Sequence, residues 1–164
     1  VLTRLWVEYV GENSAAALIA VGGFGRGELF PQSDIDVLIL TLEAPNADTA
    51  PQLEQFVTSL WDTGLQIGHS VRTLAECEEM AREDLTVVTT MMESRHLAGD
   101  TTLIEALAEI IDPSAMWPPN DFIRGKLGEQ QNRHDRYSNT EYALQPNIKS
   151  SPGGLRDLRS RRII

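Results

Sequence analysis

The chain has 164 residues, about the size of one domain, and its 41% hydrophobic and 23% charged side chains argue against disorder. No run approaches the roughly 18 apolar residues of a membrane span, no cleavable leader stands in front, and an opening on Val1 instead of Met reads as a piece of something longer. The net charge of −10 disfavours a general nucleic-acid binder, and the single cysteine, Cys77, excludes an internal disulfide and a cysteine-based zinc site and fits a reducing cytoplasm.

The charge is unevenly spread. Residues 1–120 carry 5 basic and 19 acidic side chains, a net −14, whereas residues 121–164 carry 9 and 5, a net +4. The change falls at Pro118-Pro119-Asn120, where one helix should end and another begin. The division expected is a domain over 1–118 and a basic helical extension and tail over 119–164 that packs on it and leads to further domains.

In chain order, apolar residues at 1, 2, 5, 6, 7 and 10 predict a helix over Val1–Val10. The apolar run Ala15–Val21 predicts a buried strand ending in glycines. Residues 22–33, with four glycines and Pro31, predict a loop or tight turn with a short helix. Ile35–Leu40 is a second strand, apolar on both faces. After a loop over Glu43–Pro51, helical spacing predicts Gln52–Trp61, stopped by Gly64. Leu65–Val71 reads as a third strand with Leu65, Ile67, His69 and Val71 on one face. Thr73 and Glu76 spell a capping box, a helix is expected from about Leu85 to His96 and ended by Gly99, and Thr102 and Glu105 can cap another. Asn120 can cap a last helix to about Arg136, and residues 137–164 show no clear period. The order implies an α+β fold, a small sheet with a helical extension.

The chemistry-bearing stretch is residues 20–40, which hold Gly22-Gly23, Arg26 and Ser33-Asp34-Ile35-Asp36. It lacks the Gly-Lys-Ser/Thr of a Walker loop, has Glu28 where a dinucleotide fingerprint needs its third glycine, and contains no serine-nucleophile elbow. What remains is a Gly-Gly turn after one strand and two aspartates at the start of the next. Alternation puts Asp34 and Asp36 on one face with Cα atoms about 6–7 Å apart. Carboxylates that converge at a strand end repel unless a cation sits between them, and Mg²⁺ takes such oxygens together with substrate phosphates. Gly22 and Gly23 let backbone amides approach phosphate closely, and Ser33 or Arg26 adds a donor. An Asp-x-Asp alone is usually a solvated turn and a glycine cluster usually just a turn; the two in order between apolar strands point to phosphoryl or nucleotidyl transfer.

Gly22-Gly23 with Ser33-Asp34-Ile35-Asp36 resembles the DNA polymerase beta-like nucleotidyltransferase superfamily. Together with Gly68-His69-Ser70-Val71-Arg72-Thr73, Pro146-Asn147-Ile148-Lys149 and Ser151-Pro152-Gly153-Gly154-Leu155-Arg156-Asp157, the chain is similar to the bacterial PII-protein uridylyltransferase/uridylyl-removing enzymes. The resemblance implies a small mixed sheet of the polymerase-beta-like type. It implies that Asp34 and Asp36 hold Mg²⁺, that Gly22 and Gly23 seat the phosphates of UTP, and that a tyrosine hydroxyl of the PII signalling protein attacks the α-phosphate in line and expels pyrophosphate. The superfamily usually sets a third carboxylate on a later strand, where Gln66 and His69 stand here; either two aspartates suffice, or His69 or a more distant acid such as Glu93 completes the set.

Other residues carry two readings each. His69 is a core histidine or an accessory catalytic group, and Arg72 pairs with an acid or meets phosphate. Gly153-Gly154 with Arg156-Asp157 tethers the tail, while Lys149 or Arg156 can supply cations for the triphosphate. His134-Asp135 spells the dipeptide of metal-dependent phosphohydrolases, but three histidines in all are too few for that site, so no hydrolase activity is expected. Met91, Met92 and Trp61 read as core, and Cys77, in a helix among acids, as unreactive. The alternatives to a uridylyltransferase are a non-catalytic nucleotide-binding or docking module and a related nucleotidyltransferase with another acceptor. No residue separates UTP from ATP or CTP.

Overall fold

The computed structural model describes residues 1–29, 33–112, 116–136, 148–149 and 151–158. The chain divides into two compact units, Val1–Asp112 and Pro113–Ile164. The first contains α1 (Leu2–Tyr9), β1 (Ala16–Ala20), α2 (Gly22–Gly25), β2 (Ile35–Thr41), α3 (Ala50–Asp62), β3 (Ile67–Thr73), α4 (Leu74–Glu83), α5 (Leu85–Met92), β4 (Arg95–Gly99) and α6 (Thr101–Ile110).

The sheet is mixed, in the order β3-β2-β1-β4. β1 pairs antiparallel with β2 and β4, and β2 parallel with β3. The expected α+β class with a mixed sheet is what the chain forms. The two central strands are buried on both faces, which is why Ala16–Ala20 and Val37–Leu40 read as continuous apolar runs. On one face, Ala16, Leu18, Val37, Ile39 and Ala98 join Leu2 and Trp6 of α1 and Leu53, Phe56 and Leu60 of α3 in one core cluster. The Trp6 and Phe56 rings meet edge to face at 5.1 Å, an arrangement their quadrupoles favour. Helices α4, α5 and α6 bury Cys77, Ala81, Leu85, Val88, Leu103 and Leu107, with α4 packed on both of the others.

Three local expectations need correction. The helix expected to about His96 stops at Met92, and Arg95–Gly99 is instead a strand on the open edge of β1. Gly99 therefore ends a strand, not a helix: its φ is +83°, and a Cβ there would lie 2.1 Å from the Ala16 carbonyl oxygen. The cap of α6 is Asp100, whose carboxylate accepts from the Thr102 amide, not Thr102 itself. The Thr73–Glu76 capping box forms as expected at α4.

In the second unit, α7 (Pro119–Arg136) begins just before Asn120, which stands inside the first turn instead of capping it. After it come the backbone turn at 148–149 and 151–154 and a short helical turn at 155–158. Pro146 and Asn147 of the third sequence block lie outside the described residues, as does most of the tail expected to lack a period.

Candidate active site

One end of the sheet collects the exit of β1 and the entries of β2, β3 and β4. Ala20 pairs with Val37 and with Arg95, and the Val21 amide donates to the Asp36 carbonyl at 3.0 Å. Gly22 then turns the chain with φ +57°, a conformation that costs glycine nothing, and the single turn of α2 follows. Gly25 is wedged into the structure: a Cβ would lie 1.7 Å from the Glu93 carbonyl oxygen and 2.9 Å from that of Ala20. The glycines of this loop thus serve close backbone approach as well as turning.

Ile35 packs on the core cluster, so alternation sends Asp34 and Asp36 to the opposite face, where both are exposed. The Asp36 carboxylate lies between two bare backbones. A Cβ on Gly22 would sit 4.0 Å from its Oδ2, and one on Gly68, its partner in β3, would sit 2.6 Å from its Oδ1. The same Gly22 position is 3.6 Å from the Thr90 methyl of α5, so Thr90 walls the site. The glycine turn and Asp36, the second aspartate of the Asp-x-Asp pair, are neighbours in space. Ser33 is half-buried immediately before Asp34.

Arg26 stands at the end of α2 and is held by two acids. Its Nε donates to Glu28 at 3.0 Å and its other arm pairs with Glu93, with the side chains of Arg26 and Glu93 only 17% and 20% exposed. Glu93, weighed as a distant third acid, is thereby engaged with the loop. Arg95 was missed by the sequence reading. Its guanidinium donates to the carbonyls of Gly25 (3.1 Å) and Phe24 (3.0 Å) and lies over the Phe24 ring, clamping α2 from β4. No local pattern marks it, because only the pairing of β4 with β1 brings it there.

His69 takes the other side of the sheet. Gly68 shares the face of Asp36, so the next residue points away, and His69 meets the Trp61 ring at 6.1 Å in a groove of about 470 Å³ that Val57, Thr58 and Val71 also line. It is neither a core histidine nor a neighbour of the aspartates. Trp61, expected in the core, is 64% exposed. Arg72 is on the face of Gly68 but four residues further along β3, about 13 Å away; its carbonyl accepts from Thr41. Met91 is buried and Met92 exposed, which divides a pair read as core.

Burial, more than the neighbouring acids, pushes the Cys77 thiol up to about 11, with Arg72 opposing and Glu76 adding to the shift. In the second unit, Lys149 and Arg156 are exposed and joined through their backbones, the Arg156 amide donating to the Lys149 carbonyl at 3.1 Å. His134 contacts Asp157 Oδ2 at 2.7 Å, Arg133 donates to Oδ1 at 2.5 Å, and the Gly153 amide donates to Oδ2 at 2.8 Å. His134 thus braces the Gly153-Gly154 turn.

Among the described residues no group of three or more His, Cys, Asp or Glu is arranged to hold an ion. Two exposed carboxylates on one face, that of Asp36 beside bare glycines, suit a hard divalent cation whose remaining ligands are water and substrate phosphate, the usual manner for Mg²⁺. They do not suit a closed site made of protein alone.

The nucleotidyltransferase domain family model matches residues 5–96, and the model described as GlnD PII-uridylyltransferase matches residues 121–162. The chain is 48% identical over 161 residues to a bifunctional uridylyltransferase/uridylyl-removing enzyme of Pseudomonas putida (strain W619), an alignment covering 98% of this chain and 18% of that protein. It is 49% identical over 158 residues to the enzyme so named from Photobacterium profundum, covering 96% of this chain and again 18% of the relative. The chain therefore spans under a fifth of the length of these curated relatives. A solved structure, "Crystal structure of the toxin-antitoxin with AMP-PNP", aligns over 85% of this chain and 98% of that one with 17% identity and a TM-score of 0.39, too slight a likeness to argue from.

Proposed function

The chain belongs to the nucleotidyltransferase domain family, and from that premise we propose that it transfers UMP from UTP to a tyrosine hydroxyl of the PII nitrogen-regulatory protein. The observation that carries this reading is the meeting of the Gly22 turn with the Asp36 carboxylate at the mouth of β2. The relatives' printed names supply the uridylyl group, and the PII acceptor follows from the second family model.

In this reading the amides at Gly22 and Gly23 seat the triphosphate, and Ser33 adds a donor beside them. Arg26 meets phosphate by exchanging one of its two carboxylate partners. Asp34 and Asp36 hold Mg²⁺. When bound, that ion lowers the pKa of the attacking hydroxyl and offsets charge on the departing pyrophosphate. The tyrosine oxygen forms a bond to the α-phosphorus as the bond from that phosphorus to the α,β-bridging oxygen breaks; pyrophosphate leaves and the phenolic proton goes to water. Lys149 and Arg156 are further candidates for contact with the triphosphate.

Calorimetry of UTP binding with and without Mg²⁺, on this chain and on Asp36→Asn, with ATP and CTP as competitors, tests the proposal, together with transfer of labelled UMP to PII. Binding that needs Mg²⁺ and Asp36, resists the competitors and yields labelled PII supports it. Loss of Asp36 should cost about 3–4 kcal/mol of transition-state stabilisation, roughly 10²–10³ in rate. UTP bound without transfer would instead favour a nucleotide-binding or docking module, and labelling of another acceptor a related transferase.

A further inference from the structure

We infer that Gly68 is a positioning residue for the Asp36 carboxylate. The inference rests on the nucleotidyltransferase reading above for its importance, but on geometry alone for its content. β2 and β3 run parallel with Asp36 opposite Gly68. The Asp36 side chain leans across the pair so far that Oδ1 stands 2.6 Å from where a Cβ on Gly68 would be. Ordinary contact begins at 3.4 Å, so no residue but glycine at 68 leaves the carboxylate where it is.

On the other side the carboxylate faces the bare Gly22 turn. Oδ2 stands 4.0 Å from where a Cβ on Gly22 would be, and the Thr90 methyl lies 3.6 Å from that same position. A methyl at 68 would therefore push Oδ1 away from β3 and re-aim both oxygens relative to the Gly22 turn. Gly68 is exposed on an edge strand, a position where glycine is ordinarily a weakness: it packs nothing and has more backbone freedom to lose on folding. Its presence is explained by what it leaves open.

Gly68→Ala on the 164-residue chain separates position from stability. Thermal unfolding followed by circular dichroism should show a melting temperature unchanged or slightly raised. A crystal structure of the variant should show the Asp36 carboxylate displaced until the 2.6 Å separation opens to at least 3.4 Å. Titration with Mn²⁺ read by electron paramagnetic resonance should show half-saturation weakened on the order of tenfold, as expected when one oxygen ligand is mis-aimed, and Asp36→Asn identifies which part of the wild-type binding belongs to this site. A carboxylate that stays in place, or a displaced one with unchanged Asp36-dependent Mn²⁺ binding, overturns the inference. If the carboxylate moves in the variant while even the wild type binds no Mn²⁺ through Asp36, the positioning role stands and the cation in the proposed function falls.

Discussion

Arg26 shows what a partly buried ion pair costs to undo. Its guanidinium is shared between Glu28 and Glu93 with little solvent around the Glu93 arm, so removing that acid leaves a cation with half its compensation. Glu93→Gln should lower the unfolding free energy by about 1–2 kcal/mol, less than for a fully buried pair because water still reaches both groups; a urea midpoint at the wild-type value would show that Glu28 alone suffices. Cys77 makes a second case. With its thiol pushed up to about 11 by burial, roughly one molecule in a thousand carries the thiolate at about pH 8. The folded chain should therefore be inert to a thiol reagent that labels the urea-unfolded chain within minutes, and fast labelling of the native state would contradict that burial. The sequence could suggest an unreactive thiol from nearby acids, but the larger cause, enclosure between α4 and its neighbours, exists only once the helices pack.

At the scale of elements, α2 is one turn held by contacts from α5 and β4. Gly25→Ala would drive a methyl into the Glu93 carbonyl, 1.7 Å away, and backbone cannot swing aside as a side chain can. The variant should lose about 3 kcal/mol or more, since overpacking here must move the whole loop; chemical denaturation measures it, and a loss below about 1 kcal/mol would mean the loop is softer than its contacts suggest. The Asp157 brace in the second unit is a pH-dependent counterpart. Burial raises the Asp157 pKa, but bonds from Arg133, the Gly153 amide and His134 outweigh it and hold the carboxyl below its ordinary value. Its contribution is complete above the ordinary carboxylate range and is lost as pH falls through the lowered folded value. Asp157→Asn should therefore destabilise this unit at neutral pH and shrink the difference from wild type in strong acid, as read from the Gly153 amide resonance; an equal difference at both pH values would rule the brace out. These elements also mark what could be read in advance. β1 and β2 were legible because strands buried on both faces are continuously apolar, and α3 and α4 because their spacing and cap are local. β4 was not: Arg95-His96-Leu97-Ala98-Gly99 alternates in no useful way, and it is a strand because β1 offers an open edge and Arg95 finds two carbonyls of α2. For the same reason the turn and the aspartates could be named from sequence, while the side of the sheet that His69 faces depended on a register set by β2 and β3 together.

For the whole molecule the governing fact is charge. Every member of the core cluster around Trp6 and Phe56 lies within the first unit, so residues 1–112 hold apolar burial of the kind a cooperative fold needs. The same residues hold 5 basic and 19 acidic side chains and no lysine, so ion pairs such as those of Arg26 with Glu28 and Glu93 and of Arg82 with Glu78 can offset only a part of the negative charge. The piece truncated after Asp112 should unfold in a single transition, with the near-ultraviolet signature of the Trp6–Phe56 pair retained. Its net −14 acts against compactness through self-repulsion, which salt screens as the Debye length falls from about 30 Å at about 0.01 M to under 8 Å at about 0.3 M. Its melting temperature should thus rise by several degrees over that range, and more steeply than that of the 164-residue chain, in which the basic residues after 120 reduce the net charge to −10. A truncated piece without a cooperative transition would mean that the cluster is insufficient alone. Equal salt slopes for the two chains would mean that the excess acids lie too far apart to repel, and that stability in the first unit is set by its core and not by its charge.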